Sequence, residues 1–231
     1  MKRRVRARAA YNRSAAVSYA LRHVFNPNPE FANMDTLGGG GDCTNFVSQC
    51  LLAGGWRMDY RATGFDSEWW YRRRSTQPFD GDQRDWWSCT WSLPSLFILY
   101  LSLYFGQRYD LLARPSRARL LRLGDIIFYD WDGDGFYDHS VIVTRRINGW
   151  PYVTYRTLKP LDPIRNAYWR LRFRGRARSI IGLRLVNNPD WFTSSPDWNV
   201  LVPCDRSRAG MDDEVEEPKE GELAEQTREQ V

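Results

Sequence analysis

Apolar positions at helical spacing open the ordered part of the chain. Ala15, Ala16, Tyr19, Ala20 and His23 share one face at a period of 3.6, which predicts a helix from about Asn12 to Val24. The Asn26-Pro27-Asn28-Pro29 run ends it, since proline disfavours the helical conformation in the residue before it. A glycine run, Gly38 to Gly41, leads into a second helix. Asp42 is its candidate N-cap, Phe46, Val47, Cys50 and Leu51 are its apolar positions, and Gly54-Gly55 is its stop signal. A third helix is predicted near residues 93–106, within the apolar stretch Leu93 to Phe105. That stretch is too short to cross a bilayer.

After it the pattern turns to strands. Leu123–Tyr129, His139–Thr144 and Tyr152–Thr157 are three of them, and Asn148-Gly149 is a hairpin turn between the last two. A final pair is predicted near Tyr168–Phe173 and Arg178–Val186, joined at Gly175. Helices first and antiparallel strands afterwards indicate an α+β fold. Residues 56–92 are irregular, rich in Trp and Arg, with turn signals at Phe79-Asp80-Gly81-Asp82, and read as an insertion or lid. Its Trp56, Trp69, Trp70, Trp86, Trp87 and Trp91 either line a substrate groove or pack the segment, packing being the plainer reading.

Composition divides the 231 residues further. With 42% apolar residues the chain can bury a core. The net charge of +5 averages a basic arm over residues 1–9 (+5), a body over residues 10–204 (+6) and an acidic tail over residues 205–231 (−6). The body is expected to be the folded domain, and the aromatic-free tail to be disordered. Arg170, Arg172 and Arg174 alternate with Leu171 and Phe173, so on a strand they form one positive face beside Arg176 and Arg178. No nucleic-acid motif accompanies that face, so simple solvation is its plainest reading, polyanion binding is the alternative, and nucleic acid is not the expected partner. No apolar run of signal-peptide length follows the basic start, which predicts a cytoplasmic protein with reduced thiols and leaves association with the cell envelope open.

Candidate chemistry is sparse. Cysteines stand at 43, 50, 89 and 204 with no C-x-x-C pair, and histidines only at 23 and 139, which excludes zinc fingers and ribbons; no cofactor is expected. Cys43 follows four glycines at a helix start, where backbone N–H groups and the helix dipole favour a thiolate. His139 follows Asp138 at the head of an apolar strand, and an imidazole there would serve as base and then acid. Cys50 and His23 read as helix-face residues. Asp130-Trp131-Asp132-Gly133-Asp134-Gly135 matches the first half of a calcium loop, but Val141 stands where such a loop needs its bidentate Glu. A polar turn delivering His139 is the favoured reading, with calcium at Asp130, Asp132 and Asp134 the alternative.

The segments "YNRSAAVSYA", "GGGGDCTNFVSQCLLAGGW", "LGDIIFYDWDGDGFYDHSVIVT" and "VTYRT", in that order, make the chain similar to a bacterial amidase domain family. That family belongs to the papain-like superfamily, beside the NlpC-type cell-wall peptidases. The resemblance covers about residues 11 to 160 and, more loosely, reaches about 186. It implies a papain-like α+β fold, with the nucleophile at a helix start packed on an antiparallel sheet. It also implies cysteine-dependent hydrolysis of an amide bond in a peptide or cell-wall fragment, with Cys43 as nucleophile and His139 as general base and acid. The oxyanion would then sit at the Cys43 N–H. One position departs: relatives tend to carry a His at the end of the third strand, and here Arg156 stands there. A guanidinium cannot accept the imidazole N–H, and its charge beside His139 would disfavour imidazolium. Three outcomes stay open. Asp162, Asn166 or a carbonyl orients His139; Cys43 and His139 work as a dyad; or activity is weak or lost and the domain only binds.

Overall fold

The computed structural model describes residues 10–35, 41–61, 67–73, 85–104, 106–157, 162–173, 175–186, 197, 201, 203 and 204. The basic arm, the Gly38–Gly40 run, the turn at 79–82, Arg174 and the acidic tail lie outside these.

Helix α1 (Arg13–His23) starts behind Asn12, whose side chain accepts the Ala15 N–H at 3.0 Å. Helix α2 (Cys43–Ala53) is buried from Cys43 through Leu51 on every side, and its polar Thr44, Asn45, Ser48 and Gln49 are hydrogen-bonded there, as buried polar groups must be. Short strands β1 (Tyr71–Arg72) and β2 (Trp86–Trp87) pair with each other, and helices α3 (Cys89–Ser92) and α4 (Pro94–Tyr104) follow. Then come β3 (Gly106–Asp110), a 3₁₀ turn (Pro115–Leu120), β4 (Ile126–Asp130), β5 (His139–Ile147), β6 (Trp150–Tyr155), β7 (Ile164–Tyr168) and β8 (Ser179–Leu185).

Strands β3 to β8 form one antiparallel sheet in the order β3-β8-β4-β5-β6-β7. The β5–β6 hairpin turns at Asn148 and Gly149, both at positive φ (50° and 84°), the turn that Asn-Gly favours. Both sheet faces are covered. Ile126, Phe128, Ile142, Ile181, Leu183 and Leu185 pack with residues of α1, α2 and α4. The alternate residues Ile127, Tyr129, Val141, Val143, Val153 and Tyr155 form a second cluster with Leu111, Ala118, Leu121 and Trp169. A sheet buried twice over accounts for the continuous apolar run of β4.

Two expectations are corrected, and the tryptophans of residues 56–92 are placed. The last pair of strands is not a hairpin: β7 stops at Tyr168 and pairs with β6, while β8 crosses to lie between β3 and β4. Arg170 and Arg172 are therefore off any strand and share no strand face. Where the structure describes residues 56–92, four of the six tryptophans pack the fold. Trp56, Trp69, Trp70 and Trp91 are at most 2% exposed, and Trp69 stacks on Trp91 with ring centroids 4.9 Å apart. Finally, two of the four thiols are not reduced: Cys89 and Cys204 form a disulfide across a separation of 115 residues. Cys204 also donates its N–H to the Trp87 carbonyl at 2.7 Å. Partners so far apart leave no spacing motif to read.

Candidate active site

The start of α2 meets the head of β5. Thr44 Oγ1 and Ser140 Oγ are 2.9 Å apart, and the Cys43 sulfur lies 3.8 Å from Thr44 Oγ1. Burial pushes the Cys43 thiol up from its ordinary value; the Ser140 N–H and hydroxyl and the Thr44 hydroxyl pull it back, and the neighbouring Asp42 pushes it up again. Cys50, one helical stretch on, is wholly buried and also pushed up by desolvation, as a core thiol is.

His139 precedes Ser140 and so leaves the strand on its other side. Its ring stands edge-on to Tyr155, centroids 4.5 Å apart, with Tyr129 and Trp131 about it at 6.1 and 6.4 Å. Burial lowers its pKa to about 3, so the ring is neutral at neutral pH. Its Nε2 is buried without a hydrogen-bond partner, which is uncommon for a polar atom in a folded chain. The fold thus brings Cys43 and His139 to the same strand head, yet no hydrogen bond joins thiol and imidazole. Tyr155 relates the two. Desolvation raises its hydroxyl to about 12, and charge on Asp162 and Cys43 adds to that rise.

Arg156 does not stand against His139, contrary to the charge conflict expected from the sequence. Next to Tyr155, it turns the opposite way and forms a buried ion pair through Nε with Asp42 Oδ2. Its guanidinium also donates to the His23 carbonyl at 3.3 Å and lies over the Phe46 ring at 5.2 Å. Asp42 occupies the cap position of α2, as expected, but its side chain caps nothing. Its Oδ1 instead accepts from Asn45 Nδ2 at 2.6 Å and the Met34 N–H at 3.1 Å. Of the other orienting candidates, Asn166 accepts from Thr144 at 2.9 Å and Asp162 acts on Tyr155; neither hydrogen-bonds His139.

Two of the tryptophans hold α2. Trp91 Nε1 donates to Asn45 Oδ1 at 2.7 Å, Trp69 Nε1 to Ser48 Oγ at 3.0 Å, and Ser48 Oγ to the Trp91 carbonyl at 2.9 Å. Sequence reasoning missed Ser140 and Tyr155. The alternation of the strands beginning at His139 and ending near Thr157 was the signal available for both.

The loop before His139 is a self-satisfied polar turn. Asp130 accepts from the Gly133 and Gly135 N–H groups, Asp132 from Asp134, Asp134 from Phe136, and Asp138 from Trp131. Carboxylate oxygens of Asp130, Asp132 and Asp138 lie within 4.8 Å of one another; Asp134, part of the calcium alternative, is not in that group. A cavity of about 420 Å³ opens elsewhere, lined by Arg13, Gln107, Arg122, Arg184, Leu185 and Val186, and no candidate site residue borders it. Among the described residues no helix is long and apolar enough to cross a membrane.

An α+β protein with a helix-start thiol against an antiparallel sheet is the class these observations define. Residues 10–176 match the family described as "Putative amidase domain", and the chain belongs to that family. It is 34% identical over 161 residues to the uncharacterized protein YhbB of Bacillus subtilis (strain 168), covering 69% of this chain and 44% of that protein. It is 29% identical over 159 residues to the uncharacterized protein YjcM of the same strain, covering 66% of this chain and 32% of the other. The chain therefore spans less than half the length of these relatives. No solved structure matches it.

Proposed function

We propose that this protein is a cysteine-dependent amide hydrolase of papain-like, NlpC-type architecture, acting on peptides or cell-wall fragments. Membership of an amidase domain family supports amide hydrolysis as the reaction class. The observation that carries the finer reading is local. Cys43 opens a helix without a side-chain cap, its sulfur meets Ser140, and the preceding His139 keeps a buried ring nitrogen without a partner. In this reading His139 takes the thiol proton as Cys43 Sγ attacks the amide carbon. The first-turn N–H groups of α2 receive the oxyanion. The tetrahedral adduct collapses with protonation of the leaving amine by His139, and water activated by the same ring hydrolyses the thioester. Proton transfer requires the thiol and imidazole to come within hydrogen-bond reach, a contact that often tightens only with substrate bound. The Cys89–Cys204 disulfide favours an oxidising compartment, and with it the cell-envelope association that the sequence left open.

The test is hydrolysis of peptidoglycan fragments and synthetic peptides by the parent and Cys43→Ala proteins. The expected loss is roughly a thousandfold or more in turnover. Turnover surviving the substitution would sink the assignment.

A non-catalytic binding module is the second reading. It is favoured by the near-complete burial of Cys43 (2% exposed) and His139 (3%) and by the absence of a bond between them. It predicts that the parent protein binds such fragments without cleaving them.

A further inference from the structure

The cap residue of α2 is where this chain departs from ordinary helix chemistry. An Asp at a helix N-cap normally turns its carboxylate onto the N–H groups of the first turn. Asp42 is held away from them by three partners from three different segments: Arg156 after β6, Asn45 on α2 itself and the Met34 N–H in the preceding turn. That turn is fastened to the same end of β6 a second time. Thr157 Oγ1 donates to Asp35 Oδ1 at 3.1 Å, Asp35 Oδ1 accepts the Asp42 N–H at 3.0 Å, and Gly41, at φ +97°, lies so close to Thr157 Oγ1 that a Cβ would collide with it. Arg156 is 2% exposed and Asp42 fully buried, so the pair is shielded from solvent and salt.

We propose that Arg156 is a positioning residue for Cys43: by pairing with Asp42 it cancels the negative charge next to the sulfur and keeps the carboxylate off the first-turn N–H groups of α2. This deepens the reading of Cys43 as nucleophile and rests on it. Two physical consequences follow. A carboxylate left unpaired beside a thiol opposes its ionisation through like-charge repulsion. A carboxylate free to cap the helix also occupies the donors that would otherwise stabilise a thiolate or an oxyanion. Among the described residues, the titratable groups acting on the sulfur are Asp42 from its own helix turn and Tyr155 from β6, while His139 of β5 lies beyond Tyr155 on the far side of Ser140. Of these, Asp42 is the acid next to the sulfur: burial pushes its carboxyl up, and the paired Arg156 guanidinium is the strongest influence pulling it back towards the ionised form.

The experiment reads the thiol itself, without substrate. The rate of iodoacetamide labelling of the Cys43 peptide is followed by mass spectrometry from pH 5 to 10. Folding of each variant is checked by circular dichroism. Arg156→Met is expected to move the midpoint of the labelling profile up by about one pH unit or more. Asp42→Asn, which leaves the guanidinium without its anion, is expected to move it down. Asp42→Asn combined with Arg156→Met removes both charges and returns the midpoint to within about 0.3 units of the parent. Arg156→Lys, which keeps the charge, stays close to the parent as well. If Arg156→Met does not fold, the opposite displacements of Asp42→Asn and the double variant carry the test. A midpoint that stays at the parent value in both single variants overturns the proposal. Because labelling needs no turnover, this outcome is independent of whether Cys43→Ala abolishes hydrolysis.

Discussion

Two Arg–Asp pairs with a fully buried carboxylate join distant segments of this molecule, and they differ in what surrounds that carboxylate. Arg13 and Asp125 tie the start of α1 to the far end of the sheet. Asp125 accepts from Arg13 at 2.6 Å and from the Arg122 and Leu185 N–H groups at 2.6 and 3.0 Å, and Arg13 also donates to the Leu123 and Leu185 carbonyls. Every one of those partners is architectural. Arg156 and Asp42 make a pair of the same chemistry at the start of α2, but the next residue is Cys43. The same ion pair is thus a fastening in one region and, in the reading proposed above, a control on a thiol in the other. Type of residue does not distinguish them; the neighbour does.

The sharpest way to break this comparison is Asp125→Ala. It leaves Arg13 without its anion and two backbone donors unpaired, and should lower stability by about 3–5 kcal/mol, the range for breaking a buried pair. Urea unfolding measures it. At the same time the labelling profile of Cys43 should stay where it is. A profile that moves as far as in Arg156→Met would mean that both pairs act only through general loosening of the fold.

Smaller, and independent of both pairs, is the disulfide. Cys204→Ser releases the segment that Cys89 fastens beside Trp87 and should cost about 2–4 kcal/mol under oxidising conditions. The parent protein treated with a reductant should fall to the variant's stability. If reductant leaves the parent unchanged, the bond is not part of the folded protein's stability.

The effect of His139 is absent at neutral pH, grows only as the pH falls, and has a definite sign. Its folded pKa of about 3 lies below the ordinary value of 6.5, so between those limits the unfolded chain binds a proton that the folded one refuses. Stability should therefore fall as pH drops below about 6.5, with a limiting slope of about 1.4 kcal/mol per pH unit down to about pH 3. Replacing His139 by Gln should flatten the decline over this window when urea midpoints are compared at pH 7, 6 and 5. An unchanged slope would show that His139 binds its proton equally well in the folded and unfolded states.

Much of the fold was legible because it is written in local periodicity. Both helices that frame the site, the turn at Asn148-Gly149 and the strands β4, β5 and β6 fall where apolar spacing and turn residues predict them. The last strands were misread for a physical reason. Arg170 to Phe173 alternate well, yet alternation says only that a segment suits a pleated edge; pairing partners are chosen by the rest of the sheet, and β8 found its neighbours in β3 and β4. The tryptophans of residues 56–92 were ambiguous in the same sense. A buried indole and a groove-lining indole have the same sequence; only the stacking of Trp69 on Trp91 and their bonds to α2 distinguish them.

At the site, the sequence by itself determined which residues were available: one thiol behind a glycine run at a helix start, and one histidine at the head of an apolar strand. It also marked Arg156 as the departure from the family pattern. Tertiary structure alone decided where that guanidinium goes, because Arg156 leaves the end of β6 on the side opposite Tyr155 and only the packed helices show what lies there. On one side Tyr155 meets His139; on the other Arg156 meets Asp42. Charge in a sequence has a sign but no partner, and the partner is set by a fold that brings residues 114 apart into contact.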